Sequence, residues 1–186
     1  KPYDKVYFFF FFSYYEEQNA NVKQALSDAE LALAIAQTLP EWVFLSSKIL
    51  DQLGTLYGRK GKTQNALWFF ERSLEVSTGY NRFYTLLTRI EVLLVLGHYI
   101  EARDELEKIQ VEELTQVLLA TYYLRWGDIF WIERNLARAI EIYDKAALIA
   151  LNEEMEFEEF TARVNLIPLN IRRDYPLTAG EHQARA

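Results

Sequence analysis

The chain has 186 residues, 51% hydrophobic and 25% charged, the balance of a folded domain large enough to bury a sizeable core. A net charge of −7 argues against a nucleic-acid partner, which needs a basic face, and gives no reason to expect a membrane partner. The lack of cysteine excludes disulfides, thiolate metal sites and a cysteine nucleophile.

The chain opens on Lys1 rather than methionine and is expected to be an excerpt or a processed form. It contains no Asn-x-Ser/Thr sequon, and a cytoplasmic location is expected. The first element is "KVYFFFFFSYYEEQ", residues 5–18. Its apolar run, Val6–Phe12, is seven residues long. A membrane span needs about 20. A signal peptide would continue with small residues, whereas Tyr14, Tyr15, Glu16 and Glu17 follow. The stretch therefore reads as a helix over 4–18. Its phase puts Phe9, Phe12 and Ser13 against a partner helix over 21–38. Five consecutive phenylalanines cover a helix all round, and such a helix should be covered on more than one side. Phe8, Phe10 and Phe11 are accordingly expected to form an interface with an upstream repeat or with a second copy in a homo-oligomer.

Further helices are expected over 41–60, 63–77, 80–96, 98–109, 111–133, 135–151 and 155–167. Pro40 ends the first pair, Gly79 breaks the second from the third, and Pro168 and Pro176 limit the last helix. The tail 178–186 is expected to be flexible. Self-comparison aligns "GKTQNALWFFERSL" (61–74), "GHYIEARDELEKI" (97–109) and "RNLARAIEIYDKA" (134–146). Each starts at a turn, reaches an alanine five residues later (Ala66, Ala102, Ala139) and a bulky residue four further on (Phe70, Leu106, Tyr143). Residues 20–33 form a weaker copy with Ala25 and Ala29, and the alanine spacings are 41, 36 and 37 residues. Before two of the turns, "LDQLGTLYGRKG" (50–61) matches "YLRWGDIFWIER" (123–134). A small residue on each first helix and an alanine on each second helix let the two approach closely, and the aromatic fills the space around that contact. One such pair cannot bury its own apolar faces, so the pairs must stack.

On these residues the chain resembles the tetratricopeptide repeat family. Leu50, Leu53, Gly54 and Tyr57, followed by Ala66 and Phe70, match its pattern, as do Tyr123, Trp126, Gly127 and Phe130 with Ala139 and Tyr143. The repeats are longer than the family's 34 residues. They are similar to those of bacterial signal-responsive regulators. The resemblance implies an all-α, right-handed superhelical solenoid of stacked antiparallel helix pairs: about four pairs over 1–151 (4–38, 41–78, 80–109 and 111–151), then a capping helix and tail over 152–186. It also implies a concave face, lined by the first helix of each pair, that binds a protein or an extended peptide.

Helical phase places Lys48, Gln52, Thr55 and Arg59 on that face, with Asp51 at its margin. The same phase adds Tyr84, Thr88, Glu91 and Val95 from the third pair, and Thr121, Arg125, Asp128 and Ile132 from the fourth, with Trp131 beside them. The acidic members argue against capture of a C-terminal carboxylate and favour a peptide with some basic character. Other motifs point nowhere. "GRKGKTQ" (58–64) has Leu56 where a phosphate-binding loop needs glycine. His98 and His182 stand apart from any metal set. The glutamates at 153, 154, 156, 158 and 159 read as the negative start of a helix. No spacing forces polar groups to converge, so neither enzyme activity, metal nor cofactor is expected. The leading expectation is a non-catalytic binding scaffold; the alternative is a sensor or oligomerisation segment of a larger regulator.

Overall fold

The computed structural model describes residues 1–39, 43–155, 158–159 and 161–166. Among the described residues, α-helices run in chain order as α1 (Pro2–Gln18), α2 (Val22–Ala36), α3 (Val43–Arg59), α4 (Thr63–Val76), α5 (Gly79–Val95), α6 (Tyr99–Glu107), α7 (Gln116–Ile132) and α8 (Leu136–Asn152), with further helical residues near the end of the described chain. Among the described residues there is no strand. Consecutive helices pack as adjacent pairs: α1 with α2, α3 with α4, α5 with α6, and α7 with α8. The chain forms two compact units, Lys1–Lys108 with α1–α6 and a second from Ile109 onward with α7 and α8.

The repeat is visible in the backbone. Within each pair the turn has one residue in the left-handed region: Ala20 (φ 59°), Gly61 (69°), Gly97 (84°) and Arg134 (63°). The next residue donates its N–H back to the carbonyl five residues earlier. The four bonds are Asn21 to Glu16 at 2.9 Å, Lys62 to Tyr57 at 3.0 Å, His98 to Leu93 at 2.9 Å and Asn135 to Phe130 at 2.9 Å. This is the Schellman closure, which satisfies a carbonyl that the ending helix leaves unpaired. Glycine adopts that conformation freely, whereas Ala20 and Arg134 hold it at a cost. The "GRKGKTQ" stretch is one of these turns. Asn21 and Asn135 then cap α2 and α8 by accepting the N–H of Gln24 and of Arg138.

The four repeat alanines, Ala25, Ala66, Ala102 and Ala139, are fully buried. Sixteen residues separate Gly54 from Phe70 and Gly127 from Tyr143. A Cβ on Gly54 would stand 2.8 Å from the Phe70 ring, and one on Gly127 would collide with the Tyr143 ring. Both rings are buried, at 0% and 1% exposure. Burying a ring of that size contributes about 2–3 kcal/mol. The same sixteen-residue step joins Ser13 to Ala29 in the first pair and Ile90 to Leu106 in the third, all four buried.

Several boundaries and faces differ from expectation. The helix expected to start at 111 starts at Gln116. Val111–Glu113 is a short 3-10 turn, and the backbone is extended at Gln110 and Leu114. Thr115 then caps α7 through the Leu118 N–H at 3.4 Å. Ala162 and Leu166, beyond the expected boundary at 151/152, join the core built around Tyr143. Of the helix expected over 155–167, residues 158–159 and 161–166 are helical. Pro40, Pro168, Pro176, His182 and the tail lie outside the described residues.

Helix α1 turns inward a face that includes the expected Ser13 but not Phe12. Its buried residues are Val6, Phe10, Ser13 and Glu17. Phe10 is therefore core, not an outward interface residue, while Phe12 is 40% exposed. Phe9 does pack against the core. Polar contacts set this phase: Ser13 donates to the Ala25 carbonyl at 2.8 Å, and Glu17 accepts from Gln52 at 2.8 Å.

Candidate functional site

In the first unit, α3 packs against both α1 and α5. Side chains of these three helices enclose a groove of about 430 Å³, in the range of ligand pockets. Phe10, Phe11 and Tyr14 come from α1, Lys48 and Asp51 from α3, and Tyr80, Asn81 and Tyr84 from α5. Helical geometry brings each set together. Phe10 and Tyr14 are four residues apart, as are Tyr80 and Tyr84, so each pair rises on one face. The Tyr80 and Tyr84 rings stack with centroids 6.5 Å apart, and Phe10 meets Tyr14 edge-on at 5.1 Å.

Among the described residues, Asp51 is the carboxylate that lines this groove, and it is 3% exposed. Thr85 donates to its Oδ2 at 2.9 Å. Thr85 is itself within 3.2 Å of Ser73, whose hydroxyl lies 3.1 Å from the Ser47 carbonyl. Oδ1 of Asp51 is buried without a hydrogen-bond partner. Burial pushes the Asp51 carboxyl up to about 6, against the opposing pull of hydrogen bonds from Ser73 and Thr85. Burial also raises Tyr14 and Tyr84, and the nearby Asp51 charge adds to both, so each keeps its hydroxyl proton.

The expected groove residues divide. Lys48 is exposed and lines the groove with Tyr84. Gln52 is buried, bound to Glu17 and, at 3.4 Å, to Ser13. It is an internal link between α1 and α3 rather than a groove residue. Arg59 reaches the same Glu17 at 3.0 Å. Thr55 bonds back to the Asp51 carbonyl at 3.0 Å, and Thr88 to that of Tyr84 at 2.9 Å. Glu91 and Val95 are exposed further along α5.

The four expected from α7 belong to the second unit. Arg125 pairs with Asp128 at 2.9 Å, and Asp128 accepts the Tyr143 hydroxyl at 2.6 Å. Thr121 lies 3.5 Å from the Val117 carbonyl, and Trp131 packs against the core around Tyr143. Ile132, beside them, is half-buried. These contacts are internal to the unit. Helical phase did not find Tyr80, Asn81, Phe10, Phe11 or Tyr14. Their nearness to Lys48 depends on which helices become neighbours, and one helix's periodicity does not carry that.

No protein-family model matches the chain, and no curated protein matches it. Among the described residues no three His, Asp or Glu side chains gather as a metal set, and no helix is long and apolar enough to cross a membrane. His98 sits at the start of α6, 3.8 Å from Glu101. Of the acidic run, Glu153 ends α8 and Glu159 pairs with Arg163 at 2.8 Å.

Proposed function

We propose that the chain is a non-catalytic, peptide-binding scaffold of tetratricopeptide type, with its helix pairs stacked as a solenoid. The observation that carries this reading is the groove shared by α1, α3 and α5. First helices of successive pairs line it, as the family resemblance implies for a concave face. Its aromatic walls suit an extended segment, since aromatic side chains supply much of the energy of interfaces. Panning a displayed peptide library against the protein tests the reading. Selected peptides should lose affinity for the Tyr80→Ala/Tyr84→Ala variant, whose melting temperature stays within a few degrees because both rings are exposed at 47% and 41%. Peptides that bind this variant undiminished would move the site elsewhere.

A second reading is that the chain is an oligomerisation segment of a larger regulator. It is favoured by the outer face of α1, where Phe8, Phe11, Phe12 and Tyr15 are 58%, 63%, 40% and 60% exposed. Phe8 and Phe12 stack at 5.3 Å. Side chains of this size along one helix mark a surface that a second copy or an adjoining repeat would cover. Static light scattering on wild type and on Phe8→Ser/Phe12→Ser tests the second copy. A dimer that the substitutions dissociate supports it; a wild-type monomer at every concentration contradicts it.

A further inference from the structure

We propose that the groove is a receptor for a lysine-type ammonium: a basic side chain of the bound peptide runs between the Phe11, Tyr80 and Tyr84 rings and ends at the Asp51 carboxylate, whose Oδ1 has no partner within the fold. This deepens the peptide-binding reading and rests on it.

Two independent observations point to that chemistry. The first is the unpartnered Oδ1 of a carboxylate that is 3% exposed. A buried acceptor left without a donor is costly, and a charged one more so. Within the fold only the neutral hydroxyls of Ser73 and Thr85 oppose the effect of burial on Asp51. No cationic side chain of the fold bonds to Oδ1. The second observation is the wall. Tyr80 and Tyr84 stack and stay partly exposed, and Phe11 is 63% exposed beside them. Ring faces attract a cation, and the attraction grows as water is excluded. An alkyl stem with a charged end matches apolar rings that lead to a buried carboxylate.

The free acceptor also chooses between the two common basic side chains. A guanidinium fork is best met by both oxygens of a carboxylate. Here Thr85 already occupies Oδ2 at 2.9 Å. A compact ammonium needs only the remaining oxygen. Lys48 lines the same groove but is exposed, so its ammonium can turn to solvent as the ligand enters. Its charge weakens the site, and reversing that charge should strengthen it.

Protonation of Asp51 should switch the site off. The titratable groups facing Asp51 are Tyr14 from α1 and Tyr84 from α5, with Lys48 on its own helix; α4 contributes only the neutral Ser73. Both tyrosines are raised and stay neutral, so Asp51 is the group that changes charge between pH 5 and 8.

The test is an NMR titration of the whole chain, read on the tyrosine ring resonances. The probes are three pentapeptides with lysine, norleucine or arginine between flanking glycines. Expected is saturable binding of the lysine peptide, weaker binding of the arginine peptide, and norleucine at least about tenfold weaker than lysine. Affinity for the lysine peptide should fall about tenfold from pH 8 to pH 5. Asp51→Asn should lose the preference for lysine over norleucine. Lys48→Glu should tighten lysine binding several-fold, and it changes only an exposed residue should Asp51→Asn misfold. Equal binding of lysine and norleucine would overturn the ammonium receptor while leaving the peptide groove standing. An arginine peptide that binds as tightly as lysine would overturn the choice of ammonium. If no peptide binds, the receptor and the groove both fall.

Discussion

The α3/α4 and α7/α8 pairs solve the same packing problem and place their carboxylates differently. Both seat an aromatic ring against a glycine sixteen residues earlier, Phe70 on Gly54 and Tyr143 on Gly127. Phe70 asks nothing more of its surroundings. Tyr143 brings a hydroxyl into the core, and Asp128, one residue after the glycine, accepts it at 2.6 Å. Thr55 stands at that register in α3. Asp51 instead stands three residues before its glycine, where α7 has the buried Leu124. That step carries Asp51 to the groove side, where one oxygen stays without a partner. One backbone solution thus holds a carboxylate that completes the core and another that lines a groove with one oxygen unpartnered.

Three substitutions test the comparison, and a fourth tests the turn that all four pairs share. Phe70→Ala should cost the most, about 4 kcal/mol in urea unfolding, because the ring is fully buried and the helix pair cannot collapse into the gap. A cost below about 1 kcal/mol would deny the ring its role.

Asp51 comes next. Its native value of about 6 exceeds the ordinary 3.8, so the folded state holds a proton that the unfolded chain has released. The contribution of this group is greatest below the ordinary value. It is lost as pH rises from about 4 through 6, by a total on the order of 3 kcal/mol. Between pH 4 and 7 the stability of Asp51→Asn relative to wild type should therefore rise by up to that amount, as read by urea unfolding at each pH. A flat difference would show that burial does not tax the carboxylate.

Tyr143→Phe should cost about 1 kcal/mol, since Asp128 loses its closest donor and keeps Arg125 and, at 3.4 Å, Asn165. Smallest is Ala20→Gly. It should stabilise by about 0.5 kcal/mol, because glycine takes the left-handed turn without the penalty that alanine meets.

Much of the pairing could be read in the residues. The buried alanines and the glycine–aromatic step follow from size and spacing alone, and Lys48 and Tyr84 follow from helical phase. The failures share one cause. Five consecutive phenylalanines carry no phase, and the expected face of Phe9, Phe12 and Ser13 holds for Ser13 and for the packing of Phe9 but not for Phe12. Ser13 and Glu17 decide the face, and their partners Ala25, Gln52 and Arg59 lie on other helices. One signal was present: Ser13 precedes Ala29 by the same sixteen residues that separate Gly54 from Phe70. The phase of Gln52 points away from α4, but α1 packs there. Helical phase puts Asp51 only at the margin of the face. Its burial depends on Thr85 and Ser73, which are distant in sequence.

The most direct measurement is the titration of the Asp51 carboxyl by carbon-detected NMR, in the free protein and with the lysine pentapeptide. The account predicts a midpoint near 6 in the free protein. It predicts a fall towards the ordinary carboxylate range once the ammonium supplies the missing donor. An ordinary midpoint in the free protein, or a raised one that the peptide leaves unmoved, would contradict it.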